Sequence, residues 1–399
     1  MPTLAELTRT PNALAPHYSR FRVGERLLLT GHSHQAWPDA GFEGQIEAWN
    51  DAAELVDGKW ERAFAKADRV RRGFATLLGC DAREIALAGN THELVVRFLS
   101  ALPLAKRPRL ITTDGEFHTL RRQLDRVAEA GVAEVVKIPA DRPDEIAPRI
   151  LQALDDRTAA VLVSSVLFGS GRIVRGLGAV AVEGRRRGAE VLIDVYHHLN
   201  VVPFSVREMS LGEAFIVGGG YKYCQLGEGN CFMRVPPGTA LLPVITGWYS
   251  EFARLEQRAA GQVPFGEGAA RWAGATYDPT SHYRAARVFD FFEREGLGAK
   301  LLREVSQHQV GLLAAEFDRL GLNPALVTRD RSVPLDQLGG FLALASPHAL
   351  DLSRKLKEKG VSTDARGELL RFGPAPYLAD AQITAAMAAL GETVRDLRG

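Results

Sequence analysis

The chain has 399 residues, with 49 Lys and Arg against 48 Asp and Glu, 46% hydrophobic and 24% charged residues. The length suits two or three domains, or one large domain with an appendage, and the composition is that of a globular protein, not of a disordered or fibrous one. A formal charge of +1 argues against a general binder of nucleic acid or anionic membrane, and three cysteines (Cys80, Cys224, Cys231) are too few for a disulfide framework or a four-cysteine zinc site.

In chain order, residues 1–6 show no basic region followed by an apolar one, so no secretory leader and a cytoplasmic location are expected. Residues 1–60, with Trp37, Trp49 and Trp60, read as an N-terminal arm packed on a larger domain. The segment 89–93, Gly-Asn-Thr-His-Glu, precedes a helix over 94–102. Strands are expected at 109–113, 133–138, 159–164, 190–194 and 214–218, with helices at 120–130, 144–154 and 177–187 between them. The run 159–164 is apolar throughout, the mark of a strand buried on both faces, and it falls far short of the ~20 residues that span a bilayer. This alternation implies an α/β domain over 61–280, a mostly parallel sheet with helices on both faces.

After Pro236 the pattern changes. The stretch 247–280 is rich in loop residues and carries Trp248, Tyr249, Phe252, Trp272 and Tyr277 without the periodicity of a core element, so these aromatics are expected at an interface or a ligand wall. Helices are expected over 283–295, 300–320, 347–359 and 379–396, with a strand at 340–344. Ser346 reads as the cap of the third helix and Pro347 as its first residue. These make a smaller α+β domain over 281–399.

The chemistry is concentrated between Val191 and Gly229. One apolar strand ends in Asp194, and a second ends in three glycines followed by Tyr221-Lys222-Tyr223. Ligands of open parallel sheets sit at the carboxyl ends of the strands, so Asp194 and Lys222 are expected to face one crevice. A lysine and a carboxylate so placed suit pyridoxal 5'-phosphate, which needs the amine for a Schiff base and the acid to keep the pyridine nitrogen protonated. The triple glycine suggests backbone crowded under a flat ligand. Asn90 and Thr91 stand where a helix N-terminus can hold a phosphate, or serve as an ordinary cap. Phe117, after the strand at 109–113, can stack on a ring, and His197 lies three residues past Asp194.

Together these residues resemble kynureninase, in the fold-type I class of pyridoxal-phosphate enzymes. The likeness rests on Asp194-x-x-His197, Tyr221-Lys222-Tyr223, Gly247-Trp248, Phe117-His118-Thr119-Leu120, Ser170-Gly171 and the late Arg371-Phe372-Gly373-Pro374-Ala375-Pro376-Tyr377. The resemblance implies that Lys222 carries the cofactor, Asp194 pairs with its pyridine nitrogen and Phe117 stacks on its ring. It also implies that Asn90, Thr91, His118, Thr119, Leu120, Ser164, His197 and Tyr221 surround the cofactor. Trp248 and Thr276 would complete the phosphate site from the second subunit of a homodimer, with Asp278 as the alternative to Thr276. Arg371 would hold the carboxylate of an amino-acid substrate, a task that suits its planar fork.

Three segments depart from the family pattern: His32-Ser33-His34-Gln35 for Asn-Ser-Leu-Gly, Leu120 for an acid, and Ala275 for a serine. His32-x-His34 lacks a third ligand, and no metal is expected. The activity implied is hydrolysis of the Cβ–Cγ bond of L-kynurenine or a related γ-keto-α-amino acid to an aromatic acid and L-alanine, within tryptophan catabolism. The alternatives are another fold-type I activity, an aminotransferase or C–S lyase, and a non-catalytic pyridoxal-phosphate-binding regulator.

Overall fold

The computed structural model describes residues 1–257 and 261–397. A two-residue strand, β1 (Leu27–Leu28), precedes a seven-stranded sheet. That sheet contains β2 (Ile85–Ala88), β3 (Arg109–Thr113), β4 (Glu134–Ile138) and β5 (Thr158–Ser164), then β6 (Glu190–Asp194), β7 (Phe215–Gly219) and β8 (Cys231–Arg234). The C-terminal part holds β9 (Thr328–Arg329), β10 (Leu342–Ala345), β11 (Val361–Ser362), β12 (Asp364–Arg366) and β13 (Leu369–Phe372).

The large sheet has the order β2-β8-β7-β6-β5-β3-β4, and β8 alone runs against its neighbours. Side chains alternate between the two faces of each strand, and both faces are covered. In β5, Val161 and Val163 join one apolar cluster while Ala160 and Leu162 join the other, and all seven residues of the strand are buried. From β3 the chain first moves outward to β4, then returns to place β5 on the other side of β3. That reversal creates a crevice at the carboxyl ends of β3 and β5, the position where open α/β sheets bind ligands.

The expected α/β class is what the structure contains. Strands β3 and β6 have the bounds read from the sequence, and β4, β5 and β7 differ by a residue or so. β2 carried no clear sequence signal: four residues of Ile, Leu and Ala do not distinguish strand from helix. β9, β10, β12 and β13 form a four-stranded antiparallel sheet in the order β12-β13-β10-β9.

The helix expected at 347 begins later, at Ala349, with His348 at its cap. Ser346 instead closes a turn: its hydroxyl accepts the His348 N–H at 3.0 Å and donates to the Leu326 carbonyl at 2.6 Å. The N-terminal segment touches both parts of the chain: Tyr18 donates to Gln225 Oε1 in the larger part, while β1 pairs in parallel with β11 and Asn12 Nδ2 donates to the Pro376 carbonyl. The helix Asp39–Leu55 packs on Thr280–Glu295. Within 247–280, Trp248 and Phe252 are exposed as expected, but Trp272 is fully buried against Phe215, with ring centroids 5.4 Å apart.

Candidate active site

The crevice is a cavity of about 260 Å³ whose lining includes Asn90, Thr91, Phe117, Thr119, Ser164, Asp194, Tyr196, His197, Tyr221, Lys222 and Cys231. Each comes from a strand end, the turn after it or the first turn of the helix that follows. Ser164 closes β5 and Asp194 closes β6, and the two are partners in register. Lys222 follows β7, and Thr91 opens the helix Thr91–Ala101.

Lys222 is buried, and its Nζ lies 2.7 Å from His197 Nε2 and 4.5 Å from the centre of the Tyr196 ring. Burial is the main force on its amine; Asp194 opposes it and Arg371 reinforces it, leaving a pKa of about 7. A large fraction of Lys222 is therefore the neutral, nucleophilic amine near pH 7. Burial also drives the His197 imidazole well below its ordinary range, helped by Lys222, His32 and Arg371. His197 Nδ1 is buried with no partner among the described residues. Burial raises Asp194 as well, against the Tyr196 N–H that Oδ1 accepts at 2.8 Å and against Lys222. Its Oδ2 has no protein partner among the described residues, so a cation entering the cavity would find an open carboxylate oxygen.

The three glycines are explained by protein, not by a ligand. A Cβ on Gly218 would meet Phe232 and Val195, one on Gly219 would strike Tyr196 and Cys231, and one on Gly220 would strike Leu226. Asn90 is an N-cap: its Oδ1 accepts the Glu93 N–H and its Nδ2 donates to Glu93 Oε1, both at 2.9 Å. That leaves the Thr91 hydroxyl and the His92 ring, both unpartnered among the described residues, as free side-chain groups at this helix N-terminus.

Phe117 forms a wall; Lys222 Nζ lies 5.3 Å from its ring centre. Thr119 reaches the cavity, but His118 leans on Phe168 and Leu120 is buried in the apolar cluster beneath, so neither belongs to the lining. Trp248 and Thr276 also lie outside it, joined by a 3.2 Å hydrogen bond from the indole to the hydroxyl. Thr276 and Asp278 line an open cleft of about 1780 Å³ that meets the cavity at Gly89, Glu228 and Gly229.

Arg371, on β13, is buried beyond the lining and fixed on two sides. Asp364, its register partner on β12, accepts from Nε at 2.8 Å and from Nη2, and Nη1 donates to the carbonyl of the cavity residue Phe168. Asp364 also takes the ring of His32 at 2.9 Å. Burial opposes ionisation of Asp364, but the His32 and Arg371 hydrogen bonds hold its carboxyl well below the usual range. Burial lowers His32 to about 4, so it is neutral near pH 7. His34 is exposed at the mouth, stacked on Tyr221 with ring centroids 4.6 Å apart.

Two functional residues escaped the sequence reading. Glu116 is fully buried under Ser164, and its only local signal is an acid directly before Phe117. Asp364 becomes visible only through the pairing of β12 with β13.

The donor set fits pyridoxal 5'-phosphate: a buried amine without an anionic contact, an open carboxylate opposite, aromatic walls and a helix N-terminus. No family model matches the chain. In sequence it is similar to a kynureninase of Deinococcus radiodurans, 27% identical over 89% of this chain and 83% of the relative. It is also similar to an isopenicillin N epimerase of Streptomyces clavuligerus, 27% identical over 83% of this chain and 85% of the relative. Among solved structures, a mutant of C-DES with glycine covalently linked to its PLP cofactor superposes with a TM-score of 0.82, at 15% identity, over 94% of this chain and 98% of that one. The chain thus has the fold of the fold-type I pyridoxal-phosphate enzymes and resembles kynureninases along most of its length.

Proposed function

We propose that this protein binds pyridoxal 5'-phosphate at Lys222 and hydrolyses the Cβ–Cγ bond of L-kynurenine or a related γ-keto-α-amino acid. The observation that carries the reading is the buried Lys222 amine facing the open Asp194 carboxylate in an aromatic cavity. The cofactor, when bound, supplies an electron sink for charge developing on the carbons next to the substrate nitrogen. Lys222, partly neutral near pH 7, would hold the cofactor through its free amine and would move the proton at the substrate Cα. The open Oδ2 of Asp194 would hold the proton on the ring nitrogen. Arg371, oriented by Asp364 and the Phe168 carbonyl behind the lining, would hold a substrate carboxylate through its remaining N–H groups once that carboxylate reaches past Phe168. His197 accepts from Lys222 Nζ and, being neutral, adds no charge beside it.

The sequence relatives include an uncharacterized aminotransferase of Bacillus subtilis, and the fold neighbours include a cystine C–S lyase. A thiol-dependent C–S cleavage suits the cavity less well. Cys231 does line it, but burial pushes its thiol up to about 12 and it sits on β8, not on a mobile loop. We also propose a homodimer in which Trp248 and Thr276 reach the neighbouring subunit's phosphate site.

The test is turnover: the loaded protein with L-kynurenine or 3-hydroxykynurenine should release the corresponding anthranilate and L-alanine. Release of pyruvate, or amino transfer to a keto acid, would assign a different fold-type I reaction. Absence of turnover with any amino acid would favour a binding protein.

A further inference from the structure

Glu116 is a buried carboxyl beneath the cavity residue Ser164, and both of its oxygens are hydrogen-bonded by protein. Oε1 accepts twice, from the Thr113 hydroxyl at 2.7 Å and from the Ser164 N–H at 3.1 Å. The Thr113 oxygen meanwhile accepts the Gly115 N–H at 3.3 Å, which commits the Thr113 proton to Glu116. Oε2 has a single partner, the Ser164 hydroxyl, and Ser164 lines the cavity beside Asp194. With two donors on Oε1 and one on Oε2, a proton added to Glu116 disturbs the fewest hydrogen bonds on Oε2, on the line to Ser164.

The geometry points to Glu116 as a positioning residue that sets which face of the Ser164 hydroxyl the cofactor meets. When Glu116 is ionised, both its oxygens only accept, so Ser164 spends its proton on Glu116 and offers the cavity lone pairs. When Glu116 is protonated, Oε2–H donates to Ser164 Oγ, and the Ser164 proton is released toward the cavity. One proton on a buried acid thereby reverses the polarity of a group beside Asp194, without movement of the backbone. Burial raises Glu116 to about 7 against its three hydrogen bonds, so both states are populated near neutrality. Asp194, on β6, is the charged group that acts on it and raises it further; β5 and the end of β3 present Ser164 and Thr113, which are uncharged.

This inference rests on the pyridoxal-phosphate reading above, and the test separates the two. Wild type, Glu116→Gln and Ser164→Ala are loaded with pyridoxal 5'-phosphate, and the visible absorbance is followed between about pH 5.5 and about pH 9, either side of the Glu116 transition. Thermal unfolding of each cofactor-free protein serves as the folding control. Glutamine keeps the acceptor at Oε1 and donates permanently from Nε2 to Ser164, so it imitates the protonated acid. Wild type should show a spectral transition within this range. Glu116→Gln should lose it and hold the low-pH spectrum throughout, and Ser164→Ala should lose it because the relay is cut. A purely structural Glu116 would lower stability or affinity and leave the shape of the pH profile unchanged. Retention of the wild-type transition in Glu116→Gln overturns the proposal. If that variant does not fold, retention in Ser164→Ala overturns it. Failure of wild type itself to take up the cofactor overturns the underlying reading, and this one with it.

Discussion

Lys222 carries opposing demands. A buried ammonium is costly, yet the lysine must lie in the cavity floor to reach a ligand, and in the cofactor-free protein its nearest polar neighbour is a neutral imidazole. Folding therefore lowers its pKa from 10.5 to about 7. Between those values the unfolded chain holds one more proton than the folded one, so this residue makes stability rise with pH, by up to about 1.4 kcal/mol per pH unit. Below about pH 7 the amine is charged in both states and folding bears the full desolvation penalty. Replacing Lys222 by Met should remove that slope: in chemical denaturation of cofactor-free protein, the variant should be the more stable below pH 7, with the gap closing as pH rises toward 10.5. Equal pH dependence in the two proteins would mean that Lys222 is not strained by burial. The same residue scale shows what the sequence conveyed. Lys222, Asp194 and Phe117 could be placed because each follows an apolar run that reads as a strand. Glu116 and Asp364 could not, because their importance lies in the partners Ser164 and Arg371, which only the folded chain supplies.

At the level of elements, the turn after β7 shows how backbone spacing shapes the site. β7 must approach both the Tyr196 ring and β8, and glycine at 219 is what allows it. A Cβ there would fall 2.6 Å from Cys231 Sγ and closer still to the Tyr196 hydroxyl. Gly219→Ala should cost roughly 1–3 kcal/mol in denaturant unfolding and weaken cofactor binding by displacing Tyr196 from the cavity wall. An alanine variant of unchanged stability and affinity would show that this spacing is slack. The run of three glycines was conspicuous in the sequence, but its cause was not, since the atoms it accommodates come from Phe232, Tyr196, Cys231 and Leu226. Ser346-Pro347 misled for a related reason. Its capping chemistry is real, but it serves the turn that joins β10 to the following helix, which starts two residues further on. Long apolar strands such as β5 needed no tertiary information, because burial on both faces is written in their composition.

Across the whole molecule, apolar surface remains on show where an α/β enzyme of this size has little reason to keep it. Phe42, Ile46 and Trp49 are exposed, and at three to four residues apart they fall on one side of the helix Asp39–Leu55; Trp49 is 77% exposed. Val244, Ile245, Trp248 and Phe252 are exposed as well, in the stretch that carries the Trp248–Thr276 hydrogen bond beside the open cleft. A second copy of the chain over these surfaces would bring Thr276 to a neighbouring site and account for both features. Light scattering should give about twice the 43.5 kDa chain mass, with cofactor retention falling on dilution. A monomer that keeps its cofactor would show that each site is complete within one chain. The face at Trp248 and Phe252 was legible as an aromatic-rich loop, though Trp272 of the same stretch belongs to the core, and the face on the helix Asp39–Leu55 was not read beforehand.

Whether Lys222 is the residue that bonds to pyridoxal 5'-phosphate is read directly by chemical trapping. The loaded protein is reduced with borohydride, digested and mapped by mass spectrometry. The prediction is a single phosphopyridoxyl label on the peptide containing Lys222, and no such label in Lys222→Ala. A label on another lysine, or an unlabelled wild-type protein, would contradict the assignment of this cavity.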